Sequence, residues 1–184
     1  PGMLGLRGSF RRGDAPKWLD DGTVDWLWPA AEEAGIPLFL HVPGLLDRVA
    51  PIAERYSGLN LAIDHLGMTG SVKEEEIDPT IYQIVALARF PNVVVKASSL
   101  PSIASDPYPY KSMHTRIERV FDAFGPQRVF WGSDLTRLKC SYRECVTMFT
   151  EELSFLSRPD LESMMGRAVE NWLGWDFPSV ISTA

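Results

Sequence analysis

Apolar residues along this chain fall into two alternating rhythms. Short, nearly unbroken runs rich in β-formers occupy 36–42, 59–66, 92–97 and a stretch that begins at Val129 and ends at Gly132. Such runs predict buried strands. Between them, apolar positions recur every three or four residues, as at Leu45, Leu46, Val49 and Ile52, which predicts helices with one buried stripe. A helix is expected from Val24 or Trp26 to Ala34, closed by Gly35. Further helices are expected over 45–56, 81–90, 116–124, 142–156 and 161–172. Residues 4–10 are a weaker strand candidate because of their glycines. Residues 11–21 and 98–109 read as loops. The charge run Lys73-Glu74-Glu75-Glu76 reads as a solvated loop or a helix start.

The recurring unit is β-loop-α, which indicates a parallel sheet covered by helices. A (β/α) barrel and an open doubly wound sheet both fit that alternation, and both place ligands at the C-terminal ends of strands. No glycine-rich dinucleotide fingerprint is present. Four successive runs end in polar residues: His41, His65, Lys96 and Asp134. An open sheet would instead gather its site around one switch point. The expectation is therefore an α/β fold of the (β/α)8 TIM-barrel type. A full barrel takes about 250 residues, and this chain of 184 shows about five strands. It is expected to form one domain over 1–184, an incomplete barrel.

Composition narrows the function classes. A net charge of −6 and a pI near 5.1 exclude the basic footprint of a nucleic-acid binder. No apolar run reaches the length that spans a bilayer, and no signal-like start precedes the first strand, so a cytoplasmic protein is expected. Cys140 and Cys145 lie five apart, a spacing unlike zinc or redox pairs, and read as reduced thiols. Trp18, Trp26 and Trp28 read as helix-to-barrel packing in preference to an aromatic ligand platform.

The strand tips carry the candidate chemistry. A carboxylate at a strand tip, Asp134, costs several kcal/mol when buried unless a cation or hydrogen bonds compensate it. It reads as catalytic, with a helix N-cap as the alternative. His41 is a candidate metal ligand, or a histidine bonded to a neighbouring carbonyl. His65 is a candidate ligand or acid/base group, or a structural hydrogen-bond partner of a loop. Lys96, with Ser98 beside it, reads equally as a holder of a substrate carboxylate or as the partner of a nearby acid. Arg7 has the same two readings. Arg137 either meets an anionic substrate or lies on the surface. Asp64 is expected on the opposite face of its strand from His65, in a structural role. His114 is expected to be solvated or to cap a helix start.

Four segments, taken in order, carry a family resemblance: Pro37-Leu38-Phe39-Leu40-His41, Leu61-Ala62-Ile63-Asp64-His65-Leu66-Gly67, Asn92-Val93-Val94-Val95-Lys96-Ala97-Ser98 and Arg128-Val129-Phe130-Trp131-Gly132-Ser133-Asp134. Together they resemble the amidohydrolase-related TIM-barrel hydrolases, a group that also holds aminocarboxymuconate-semialdehyde decarboxylase-like enzymes and several lactonases. The closing Glu170-Asn171-Trp172-Leu173-Gly174 is similar to that family's last helix. The resemblance implies that His41, His65 and Asp134 bind a divalent metal, zinc first, with manganese or magnesium as alternatives. It also implies that Asp134 moves a proton, assisted by His65. A small carboxylated or lactone-type substrate would be held by Lys96, Ser98, Arg7 and Arg137. A decarboxylase or a metal-independent lactonase is the alternative within the family. The His-x-His pair of the family's first strand has no counterpart here, and its strands one to three are expected to be missing. The competing reading is accordingly a truncated, non-catalytic piece. Its open edge would pair with another chain, a homo-oligomer included, or leave the piece unstable, and an exposed apolar edge strand near Phe10 would favour association or aggregation.

Overall fold

A computed structural model describes residues 4–175 of the chain. Five strands form one sheet: β1 (Leu6–Ser9), β2 (Leu38–His41), β3 (Leu61–Ile63), β4 (Val93–Ser98) and β5 (Val129–Gly132). Every neighbouring pair is parallel, and the order across the sheet is β1-β2-β3-β4-β5. Strands laid down consecutively, with no reversal of order, are what a (β/α) barrel requires, whereas a doubly wound sheet reverses at a switch point. The strand order thus settles the choice that alternation left open.

Among the described residues, eight α-helices connect and follow the strands: α1 (Leu27–Glu33), α2 (Val49–Arg55), α3 (Glu74–Leu87), α4 (Leu100–Ile103), α5 (Lys111–Phe124), α6 (Tyr142–Thr150), α7 (Arg158–Glu162) and α8 (Ala168–Leu173). A π turn, Ser163–Arg167, joins α7 to α8.

The sheet packs on both faces. Leu38, Leu40, Leu61, Ile63, Val93 and Val95 join the main core with buried residues of α1 to α6, such as Trp28, Val49, Ile81, Ile117 and Met148. The alternate positions Phe39, Ala62, Val94 and Phe130 form a second cluster with Ala168, Val169 and Trp172 of α8. The Trp172 ring meets Phe39 at 5.5 Å and Phe130 at 5.6 Å between centroids, both edge-on. The closing helix therefore covers the face of the sheet opposite α1 to α6.

Several boundaries differ from the sequence reading. Helix α3 begins at Glu74, seven residues before the predicted start, because Glu76 accepts a hydrogen bond from the Lys73 backbone at 3.0 Å and caps the turn. The charge run is the helix start. Helix α5 begins at Lys111, with the Ser112 backbone donating to Asp106 at 3.1 Å just ahead of its first turn. His114 donates from Nε2 to the Pro109 carbonyl at 2.8 Å, in keeping with a role at that helix start. The expected loop over 98–109 contains α4. The helix predicted over 142–156 ends at Thr150, and that over 161–172 is split by the π turn. Of the three tryptophans, only Trp28 is core, against Phe10; Trp18 and Trp26 are exposed. Edge strand β1 alternates half-buried with exposed residues, and the exposed ones are Arg7 and Ser9. Phe10 is buried, so the apolar edge expected there is not exposed. Both cysteines are free, with the Cys145 thiol pushed up to about 11 by burial and by Cys140.

Candidate active site

A cavity of about 850 Å³ opens at the C-terminal ends of the strands. Its lining follows from register. Ser9 pairs with His41, Lys96 with Phe130, and Ser98 with Gly132, which brings consecutive tips side by side. Gly132 makes the last of these possible, since a Cβ there would come within 3.1 Å of the Ser98 Cβ.

The backbone after β3 is unusual. His65, Leu66 and Gly67 take successive left-handed conformations, with φ of 53°, 51° and 72°. For two non-glycine residues this is strained, and such strain clusters at functional sites. It also overturns the expectation that Asp64 and His65 point to opposite faces. Strand alternation carries Asp64 to the same side as Ala62, and continued extension would have sent His65 to the helix side. The left-handed turn swings His65 back into the cavity lining, while Asp64 meets the cavity only through its partners Arg7 and Lys96. Asp64 is fully buried beneath the cavity floor. It accepts from Arg7 Nε at 2.6 Å and from Lys96 Nζ at 2.9 Å. Burial pushes the Asp64 carboxyl up, but Lys96 and Arg7 outweigh it and hold the group below the usual carboxylate range.

The two cavity histidines lie edge to face, 5.5 Å between ring centroids. His41 Nδ1 shares a hydrogen bond with Ser9 Oγ at 3.0 Å, and His65 Nδ1 shares one with Ser98 Oγ at 2.8 Å. His65 Nε2 lies 3.8 Å from Asp134 Oδ2. Burial, reinforced by the charges of His65 and Arg7, pushes His41 down to about 4. Burial also lowers His65, against the opposing pull of Asp64 and Asp134. Both imidazoles are therefore neutral near pH 7.

His41, His65 and Asp134 thus converge, as their strand tips suggested. Yet the described residues hold no group of three or more His, Cys, Asp or Glu side chains placed to bind a metal ion. The implied zinc set does not fit as it stands. Arg7, Lys96, Ser98 and Arg137 all line the cavity, with Arg7 and Lys96 paired to Asp64. Ser98 is spoken for by His65. Sequence reading missed Arg11, Arg12 and Lys139, which also line it. Two arginines directly after the β1 tip were a signal for the first two. Lys139 offered none, since its Nζ reaches the Ser102 carbonyl at 3.1 Å through a loop contact. Ser102 Oγ in turn donates to the Arg137 carbonyl at 2.7 Å, so the loops after β4 and β5 are stitched together at the rim.

A consecutive parallel sheet with polar tips around one cavity is matched by sequence, since the amidohydrolase family profile covers residues 1–174. The chain belongs to the amidohydrolase family. Its fold is shared with an amidohydrolase from Burkholderia multivorans that has zinc bound, at a TM-score of 0.78 and 21% identity over 92% of this chain and 64% of that one. It is also shared with a protein from Pseudomonas putida provisionally named a 2-pyrone-4,6-dicarboxylic acid hydrolase, at 0.73 and 20% over 96% and 65%. The 5-carboxyvanillate decarboxylase of Sphingomonas paucimobilis matches at 0.61 and 13% over 94% and 58%. This amidohydrolase chain therefore spans under two thirds of the length of these relatives. No match was found among curated proteins. Among the described residues, no helix is long and apolar enough to cross a membrane.

Proposed function

We propose that this amidohydrolase chain carries the substrate cavity and proton-handling groups of a hydrolase acting on a small carboxylate-bearing lactone or ester. One observation carries the reading. Arg7, Arg11, Arg12, Lys96, Arg137 and Lys139 line the cavity, and Asp134 is its one acidic lining residue among those described. The chain as a whole is acidic, at −6. Cations gathered in one concave site of an acidic protein favour an anionic ligand there. Two of the fold relatives are named for carboxylated substrates, which agrees with this reading.

The chemistry follows from the acceptor and donor at the centre. Asp134 takes a proton from the attacking water as its oxygen bonds to the acyl carbon. His65 supports the developing charge on the carbonyl oxygen through a ring N–H. The acyl C–O bond then breaks, and the proton held by Asp134 passes to the leaving oxygen. The cationic wall holds the substrate carboxylate and orients the acyl group.

The test is to assay the protein against a carboxylated lactone and its neutral methyl-ester analogue. Preferential hydrolysis of the carboxylated member is expected. Equal turnover of both, or none of either, would overturn the reading. Release of carbon dioxide in place of ring opening would move the chain to the decarboxylase class.

A further inference from the structure

We propose that Ser98 is a positioning residue which, together with Asp134, fixes His65 as the neutral imidazole carrying its proton on Nε2. The tautomer is argued from geometry alone; the role given to it rests on the hydrolase reading above.

His65 has two ring nitrogens and two different neighbours. Nε2 faces a carboxylate oxygen at 3.8 Å, with the two side chains 11% and 24% exposed. A lone pair on Nε2 would oppose that negative charge in a poorly solvated place, whereas an N–H there is favoured. The proton therefore belongs on Nε2, and Nδ1 becomes an acceptor. Its neighbour supplies the donor, because Ser98 Oγ lies 2.8 Å away. Ser98 is only 2% exposed, so its hydroxyl has little access to water as an alternative partner. The serine hydroxyl donates to Nδ1, and the two contacts reinforce one tautomer.

His41 provides the contrast. Its Nδ1 meets Ser9 Oγ at 3.0 Å, but Ser9 is exposed, and no carboxylate among the described residues pairs with the His41 ring. Nothing comparable selects a tautomer at His41. The two histidines, similar in sequence context, are therefore unequal. His65 presents an N–H to the cavity, which suits it to support an oxygen that gains negative charge, and Asp134 is left as the acceptor.

Nitrogen-15 NMR of the wild-type chain at neutral pH reads the tautomer directly, with only three histidines to assign. His65 is expected to show a protonated Nε2 and an acceptor-type Nδ1. A proton on Nδ1 would overturn the proposal. Ser98→Ala is expected to shift the His65 nitrogens toward an averaged pattern and leave those of His41 unchanged, with Ser98→Thr restoring the wild-type pattern. An unchanged His65 spectrum in Ser98→Ala would remove Ser98 from the role. In the hydrolysis assay, Ser98→Ala should lower kcat about tenfold with little change in KM. Absence of any hydrolysis by wild type would sink the functional reading while the spectrum still decides the tautomer.

Discussion

Nε2 of His65 stands 3.8 Å from Oδ2 of Asp134. That is beyond a hydrogen bond, yet near enough for both atoms to touch one oxygen between them. The two residues come from different strand tips, and each has a left-handed backbone, at φ 53° and 51°.

Asparagine tolerates the left-handed region as well as aspartate does. Asp134→Asn should therefore keep the fold, with a change in stability within about 1 kcal/mol. It removes the proton acceptor, so kcat should fall by roughly 10²- to 10⁴-fold. Steady-state kinetics beside a thermal melt check both halves. A variant that is folded and fully active would remove Asp134 from the chemistry.

Lys96→Met would leave the buried Asp64 carboxylate with Arg7 as its one ion-pair partner among the described residues. Arg7 is half exposed, at 52% for its side chain, so its compensation is weaker. A loss of about 2 kcal/mol at pH 7 is expected, below the 3–5 kcal/mol of a fully buried pair. Urea unfolding measures it, and the loss should shrink in acid as Asp64 takes a proton.

Stability should fall on acidification from pH 7 toward pH 4. His41 is pushed down to about 4 from an ordinary 6.5, so the unfolded chain binds this proton first. The contribution is fully present above 6.5 and is lost as pH drops through 4, with an upper size of roughly 3 kcal/mol. Asp64, also held low, adds a loss in the same direction at lower pH. Unfolding midpoints across this window, compared with those of His41→Gln, should show a flatter slope in the variant.

Arg137→Glu places a like charge against a carboxylated substrate. KM should rise more than tenfold with kcat less affected, and the salt dependence of kcat/KM should be weaker in the variant than in wild type. A neutral analogue serves as the control, since its KM should barely move.

The sheet was legible in the chain because buried parallel strands write themselves as apolar runs, and the polar residue that ends each run marks the cavity. His41, His65, Lys96 and Asp134 were all found that way. Helix starts were less legible where capping came from charged residues, as at Lys73 and Glu76. The relation of Asp64 to His65 was misread because period-two alternation assumes an extended backbone, and the chain leaves that state at His65. Lys139 was invisible for a different reason: its place depends on the Ser102 carbonyl from another loop, a contact with no local pattern.

The ring of Trp172 rests on Phe39 and Phe130 in mid-strand, and Lys96 Nζ, on the cavity side, lies 5.5 Å from the centroid of that same Phe39 ring. Packing and recognition thereby share a party wall, with Phe39 holding the closing helix on one side and the Lys96 ammonium on the other. Redesign of that aromatic layer would therefore be felt in the cavity through Lys96, whereas exchange of the loop-borne cations Arg11, Arg12 and Arg137 can change what the protein accepts without loosening its foundations.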